Sequence, residues 1–269
     1  SLVAQAKHMV NPGDPQSAVW SATGWDGKVS LMSADMHFAR IRRHSTVLGI
    51  EVPEDLPKRV FDLLEDIETP GTPNDSPGQA PFLLVMGVRS DGEVFIDPLT
   101  LQKWPNRPLS AISLEAPTWN QPVRGTKHGD WRPHREARNL AIENGVDIGL
   151  LFEDSILIDG DRCAPLLLDN DGVAYHPNHS DGAVDSVTIQ QIKPALESAG
   201  IPVRSAKLTL GMILRASEMI VLGSGMGVQA LASIDGRQIG QPQGRLFQAA
   251  RDSWLVRLDS AWKSIEDLE

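Results

Sequence analysis

The chain has 269 residues, 41% of them hydrophobic, so it can bury a large core in one big domain or two modest ones. Its 35 acidic residues outnumber its 25 basic ones, and the net charge of −10 argues against a general nucleic-acid binder, which would show a basic face. The single cysteine, Cys163, excludes an intrachain disulfide and favours a reducing, cytoplasmic setting. No apolar run approaches membrane-spanning length, and the N-terminus lacks the charged-then-apolar pattern of a secretory signal.

The first half of the chain alternates predicted strands and helices. Apolar periodicity and turn residues predict a strand pair near Ala18–Trp20 and Lys28–Met32, helices over Ala34–Gly49 and Glu54–Glu68, and strands at Phe82–Val88 and Glu93–Ile96. The stretch between the second helix and the third strand is rich in proline and glycine and predicts a loop. Four prolines and little periodicity between Pro105 and Pro122 indicate an interdomain linker, which we place at residues 113–122.

The second half predicts a larger α/β domain over residues 123–269, after a smaller one over residues 1–112. Asp130 and Gly145 bound one predicted helix, and a second begins near Ser186, although Pro194 argues against its continuity. The remaining apolar runs predict strands at Ile148–Phe152, Ile156–Ile158, Leu166–Leu168, Met219–Leu222 and Val228–Ile234, followed by a C-terminal helix from about Leu246.

Lys127 is the residue with the clearest chemical context. Gly125 before it permits close approach of a ligand to the backbone, while His128 and Trp131 after it can wall a pocket. A lysine amine becomes nucleophilic when desolvation and nearby positive charge lower its pKa, and it then condenses with an aldehyde. The motif Gly125-x-Lys127-His128 resembles the lysine motif of the class IV aminotransferases, the pyridoxal-phosphate enzymes of fold type IV. Within that group it is most similar to the 4-amino-4-deoxychorismate lyases.

The resemblance extends over roughly residues 35–240 and implies a two-domain fold like that of D-amino-acid aminotransferase. It implies that Lys127 forms the Schiff base with pyridoxal 5'-phosphate and acts as the catalytic acid and base. Asp159, about thirty residues further on, takes the place of the family's glutamate, which bonds the pyridine nitrogen. Arg40, in His37-x-x-Arg40, matches the family's phosphate-binding arginine.

Two later segments complete the implied cofactor site. Val187 and Thr188 match residues that offer backbone and hydroxyl donors to the phosphate at a helix N-terminus. Ser224 falls on a phosphate-binding threonine of the family. Gly225 follows it and, with His128 and Trp131, is assigned by resemblance to the substrate pocket. The resemblance further implies a homodimer and a small-molecule amino substrate.

Several positions depart from the family pattern, so three hypotheses remain open. Asp159 is one methylene shorter than glutamate, Ala164 replaces an asparagine, Trp131 replaces a tyrosine or arginine, and Ile189 replaces an arginine. The first hypothesis is a lyase that releases pyruvate and yields 4-aminobenzoate for folate biosynthesis. The second is an aminotransferase of a branched-chain or D-amino acid, and the third is a non-catalytic relative that retains the fold.

Two other kinds of site are not supported by the sequence. Four histidines could suggest a metal site, namely His128, His134, His176 and His179. Their spacing to one another and to the single cysteine is not that of a zinc site, so we expect no metal. The glycine-rich run Gly223–Gly227 lacks the strand–turn–helix context of a dinucleotide fingerprint.

Overall fold

The structure, a computed structural model, describes residues 13–269. The start of the predicted N-terminal domain and the expectation about a signal sequence therefore lie outside the described residues. Within residues 13–269 no helix is long and apolar enough to cross a membrane. Contacts divide the chain into two units, which we describe separately.

The first unit comprises residues up to Lys103, the segment Asn120–Arg132, and Arg257–Glu269. Its strands are β1 (Ala18–Trp25), β2 (Leu31–Met32), β3 (Phe82–Arg89), β4 (Val94–Leu99) and β14 (Trp262–Lys263). They form one antiparallel sheet in the order β14-β2-β1-β3-β4. Helix α1 (Ala34–Leu48) packs against β1, and α2 (Leu56–Glu65) packs against β4.

Helix α1 forms as the sequence predicts because its apolar residues recur on one face and Gly49 ends it. Phe38, Ile41 and Leu48 are all buried. The same face also buries His37, Arg40 and His44, at spacings of three and four residues. The helix therefore brings polar groups into the interior of the unit next to β1.

The second unit comprises Trp104–Trp119 and Pro133–Val256. Its strands are β5 (Leu109–Glu115), β6 (Ile148–Glu153), β7 (Ile156–Gly160), β8 (Ala164–Leu168), β9 (Ala174–Pro177), β10 (Val203–Ala206), β11 (Glu218–Gly223), β12 (Gly227–Ile234) and β13 (Arg237–Gln238). Eight of them follow the order β10-β9-β8-β11-β12-β5-β6-β7, and β13 pairs with β12. The helices that begin in this unit or at its boundary are α3 (Arg132–Glu143), α4 (Val187–Ser198), α5 (Leu210–Arg215) and α6 (Arg245–Ser260).

This contact grouping differs from the predicted division into 1–112, 113–122 and 123–269 at two places. Strand β5 extends into the first three residues of the predicted linker, 113–115, and pairs in parallel with both β6 and β12. Segment 120–132, which carries Lys127, groups with the first unit because His128 bridges to Val19 of β1. The expectation that Pro194 interrupts the helix that begins near Ser186 was also wrong. Helix α4 continues through this exposed proline, since the carbonyl that loses its partner belongs to Gln190, which also faces solvent.

Candidate active site

The segment that carries Lys127 is irregular and depends on local turn chemistry. Gly125 has φ +76°, a left-handed backbone conformation that a residue with a side chain rarely adopts. Thr126 is buried, and both its amide and its hydroxyl donate to the carbonyl of Val123, at 3.1 and 2.6 Å. These bonds fix the turn immediately before the lysine.

Three hydrogen bonds attach the lysine segment to β1 and the turn before it. The Trp20 amide donates to the Lys127 carbonyl at 3.2 Å, and the Trp20 indole Nε1 donates to the His128 carbonyl at 2.8 Å. The Gly129 amide donates to the Pro15 carbonyl at 2.8 Å. A Cβ at Gly129 would collide with the Ser17 hydroxyl, so only glycine permits this approach.

The amine of Lys127 lies over two tryptophan rings. Its Nζ is 4.2 Å from the centroid of the Trp20 ring and 5.0 Å from that of Trp131. The two rings meet edge to face, with centroids 5.2 Å apart and planes at 85°. Both distances lie within the range of a cation–π attraction.

Helix α1 adds three polar side chains around the same strand. Arg40 Nη2 donates to the Ser21 hydroxyl at 2.6 Å, and that hydroxyl lies 2.7 Å from Nδ1 of His37. The Ser21 hydroxyl therefore links Arg40 and His37, two residues on the same face of α1. His44 Nδ1 accepts from the Lys127 amide at 3.0 Å, so this imidazole also contacts the lysine segment.

Burial keeps two of these imidazoles neutral. The pKa of His37 lies well below its usual value because the ring is desolvated and because Arg40 and Lys127 are close. The pKa of His128 falls to about 3, again mainly through burial, with smaller effects of His44 and Lys127. His128 Nδ1 accepts from the Asp130 amide at 3.2 Å, so its ring proton resides on Nε2. The first unit thus places two basic side chains, Lys127 and Arg40, beside neutral imidazoles.

In the second unit, Asp159 lies near the end of β7, where both of its carboxylate oxygens accept backbone hydrogen bonds. Oδ1 accepts from the Gly160 amide at 3.0 Å, and Oδ2 accepts from the Val184 amide at 3.2 Å. Val184 belongs to the loop that leads into α4. The carboxylate therefore links the end of β7 to the segment before that helix.

Val187 and Thr188 are buried in the first turn of α4. The Ser186 hydroxyl caps this helix by accepting from the Ile189 amide at 3.1 Å. Ser224 and Gly225 form part of the turn between β11 and β12, and α4 packs against β11. A helix N-terminus and a hydroxyl-bearing turn are both suited to an anionic group.

The turn between Asp159 and Ala164 is held by an ion pair that the sequence reasoning did not single out. Asp161 is buried, and its Oδ2 accepts from the Gly149 amide at 2.9 Å and from Arg162 Nη1 at 3.0 Å. Burial raises the pKa of Asp161, and the Arg162 charge opposes that rise. Arg162 also donates to the Asp147 carbonyl at 2.6 Å and stacks on Trp104, 4.8 Å from the ring centroid.

Two further buried residues of the second unit have structural partners. Glu218, at the start of β11, accepts from the amides of Leu246 and Phe247 at 2.9 and 2.7 Å, at the start of α6. His134 stacks on Trp119, with centroids 5.6 Å apart and planes at 4°. Among residues 13–269 no group of three or more His, Cys, Asp or Glu side chains is arranged to hold a metal ion.

Sequence reasoning missed Trp20, Ser21 and His44 as parts of the lysine environment. His44 had a readable signal, since it follows His37 and Arg40 at positions i+7 and i+4 on one helix face. Trp20 and Ser21 had none, because β1 is buried along nearly its whole length and shows no alternation. The role of Trp20 depends on pairing with a segment more than a hundred residues away, and that of Ser21 depends on its bonds to His37 and Arg40 of α1.

The family model for class IV amino-transferases matches residues 21–234 of this chain. The chain belongs to that family. This match confirms the predicted family, the predicted fold class and the prediction that the family's members are pyridoxal-phosphate enzymes. No curated protein matches the chain significantly.

Solved structures share the fold along most of the chain. The branched-chain aminotransferase of Thermoproteus uzoniensis, solved with norvaline, is 16% identical, with 96% of this chain and 95% of that chain covered and a TM-score of 0.76. A branched-chain amino acid aminotransferase from T.th., solved with pyridoxamine 5'-phosphate, is 16% identical over 98% and 93%, with a TM-score of 0.71. A protein provisionally named 4-amino-4-deoxychorismate lyase is 19% identical over 93% and 92%, with a TM-score of 0.66.

The neutral state of His128 predicts a specific acid sensitivity. A folded-state pKa of about 3 means that only the unfolded chain takes up this proton between about pH 6.5 and 3. As the pH falls, His128 should therefore lower the free energy of unfolding by roughly 1.4 kcal/mol for each pH unit in that window. His128→Asn, whose amide oxygen can replace Nδ1 as acceptor, should flatten this dependence in urea titrations at a series of pH values.

His176→Asn is the matched control, because it makes the same exchange at a half-buried ring. We expect it to leave the wild-type slope between pH 6.5 and 3 in place. An unchanged slope in His128→Asn would mean that His128 is protonated in the folded protein, contrary to its burial.

Proposed function

We propose that this chain is a pyridoxal-phosphate enzyme of the class IV family that acts as a lyase on an amino substrate related to 4-amino-4-deoxychorismate. Such a reaction releases pyruvate and leaves 4-aminobenzoate. The observation that carries the proposal is the environment of Lys127. Its amine lies over two tryptophan rings, and the adjacent His128 is buried and neutral. His37, whose pKa is lowered by both Arg40 and Lys127, is neutral as well. The pyridoxamine 5'-phosphate in the related branched-chain aminotransferase structure supports the choice of cofactor.

The chemistry of the available donors fits this cofactor. An aldehyde needs an amine, and Lys127 offers one in a partly desolvated position. A phosphate dianion needs charged and backbone donors, which Arg40, the N-terminus of α4 with Val187 and Thr188, and the Ser224 turn offer. A pyridine nitrogen needs a carboxylate, and we assign Asp159 to this role.

When bound, pyridoxal phosphate supplies an electron sink for the charge that develops at the substrate's α-carbon. Lys127 would hold the cofactor through its amine and would serve as the general acid and base. Trp131, His128 and Gly225 border the substrate in this proposal. Neutral imidazoles suit that position, because they can hydrogen-bond a substrate without adding a further positive charge beside Lys127 and Arg40.

The lyase is favoured over the aminotransferase by the Gly125-x-Lys127-His128 motif. The second candidate is an aminotransferase of a branched-chain or D-amino acid, which the similarity to branched-chain aminotransferases supports. Both would use the same lysine, and they differ in where Lys127 returns the proton. From the family resemblance we also propose a homodimer, a place in folate biosynthesis and a cytoplasmic setting.

The first prediction from the proposed function concerns covalent attachment of pyridoxal phosphate to Lys127. Purified protein given pyridoxal phosphate should develop a visible absorption band that borohydride abolishes, and peptide mass mapping should then find the label on Lys127. Lys127→Ala should lack the band because the amine that condenses with the aldehyde is gone. Lys103→Ala is the control, since Lys103 is an exposed partner of Asp75 and should not matter.

A band of normal intensity in Lys127→Ala would remove this lysine from its proposed role. A normal band with no turnover of any amino substrate would favour the non-catalytic hypothesis.

The second prediction concerns the phosphate. Arg40→Ala should weaken cofactor binding by roughly 10- to 150-fold, because a charge-assisted bond to phosphate contributes about 1.5–3 kcal/mol. Pyridoxal, which lacks the phosphate, should bind the variant and the wild type with similar affinity. Arg43→Ala, an exposed arginine three residues further along α1, serves as the control. Equal loss for both ligands would assign Arg40 to packing alone.

The third prediction separates lyase from aminotransferase. Incubation with 4-amino-4-deoxychorismate should release pyruvate and 4-aminobenzoate in equal amounts when no keto acid is added as amino acceptor. Coupled assay and chromatography measure the two products. Keto-acid-dependent transfer of the amino group from a branched-chain or D-amino acid, with no pyruvate release, would instead establish the second candidate. Lys127→Ala should abolish whichever reaction is observed.

A further inference from the structure

Some groups near Lys127 stabilise a protonated amine, and others destabilise it. Helix α1 contributes the Arg40 guanidinium and the imidazoles of His37 and His44, and the lysine's own segment contributes His128 and Asp130. Strand β1 contributes Trp20 and Ser21, neither of which carries a charge. Partial burial of Lys127 disfavours an ammonium group at this position, whereas the faces of the indole rings attract one.

The two tryptophans are themselves held in place. Trp20 is 4% exposed, and its amide and indole both donate to the lysine segment, at 3.2 and 2.8 Å. Trp131 packs edge to face on Trp20 and also meets the His128 ring, with centroids 5.5 Å apart and planes at 68°. The ring faces are therefore fixed relative to the backbone from which the Lys127 side chain extends.

We propose that Trp20 and Trp131 form an aromatic clamp that holds the Lys127 amine as a cation until an aldehyde arrives. The clamp positions the nitrogen and delays its deprotonation. Condensation needs the neutral amine, since its lone pair forms the C–N bond while the aldehyde oxygen leaves as water. Trp20 and Trp131 are thus positioning residues that set the pH above which Lys127 reacts. The functional meaning of the clamp rests on the proposed function, but the clamp itself is a property of the cofactor-free chain.

The test measures the reactivity of Lys127 without cofactor. Trace acetic anhydride acylates only neutral amines, releasing acetate and a proton, and mass spectrometry of peptides follows Lys127 from about pH 6 to 11 against Lys103 in the same sample. In Trp131→Leu, which keeps an apolar side chain without a ring face, the midpoint for Lys127 should fall by roughly half a pH unit. Trp131→Phe should give a smaller fall, because a phenyl face attracts cations less strongly.

Trp119→Leu is the matched control, since Trp119 stacks on His134 and belongs to the second unit. It should leave the Lys127 midpoint unchanged. If Trp131→Leu does not fold, as judged by circular dichroism, Trp131→Phe and Trp20→Phe carry the test. An unchanged or raised midpoint for Lys127 in the folded variants would overturn the clamp.

Failure of the clamp and failure of the proposed function give different results. A lowered midpoint in Trp131→Leu, with no absorption band on adding pyridoxal phosphate to the wild type, would retain the clamp and reject the cofactor. A normal band together with an unchanged midpoint would retain the cofactor and reject the clamp.

Discussion

The candidate site of the first unit depends on the attachment of the lysine segment to strand β1. The bonds from Trp20 and Gly129 hold residues 127–130 against β1 and the turn before it, where Lys127 is only partly exposed. The same Trp20 that anchors the backbone also presents its ring to the Lys127 amine. Backbone register and side-chain chemistry are therefore set by one residue, and a change at Trp20 would disturb both.

Burial decides the charges around this segment. His37 and His128 lie within the interior of the first unit, where a protonated ring would lose its hydration beside Arg40 and Lys127. Both remain neutral, and their buried neighbour His44 accepts from the Lys127 amide through a single ring nitrogen. Arg40 and Lys127 are thus the basic side chains beside these neutral rings, and the ligands proposed for them are a phosphate and an aldehyde.

The elements that the sequence predicts well are those in which local pattern and tertiary role agree. Helix α1 has an apolar stripe and a terminal glycine, and Ser186 caps α4 in the way its residue type suggests. The predicted linker overlaps the end of strand β5, because prolines and weak periodicity hide a strand whose formation requires its parallel partners β6 and β12. Strand β14 joins the first sheet from the far end of the chain, a pairing that no local pattern could indicate.

The carboxylate of Asp159 joins two backbone segments of the second unit. Its Oδ2 accepts from Val184, three residues before the first residue of α4, and its Oδ1 accepts from the amide of the next residue. Asp159 therefore connects the end of β7 with the start of α4. In our proposal these two elements serve opposite ends of the same cofactor, so the carboxylate that meets the ring nitrogen would also hold the helix that receives the phosphate.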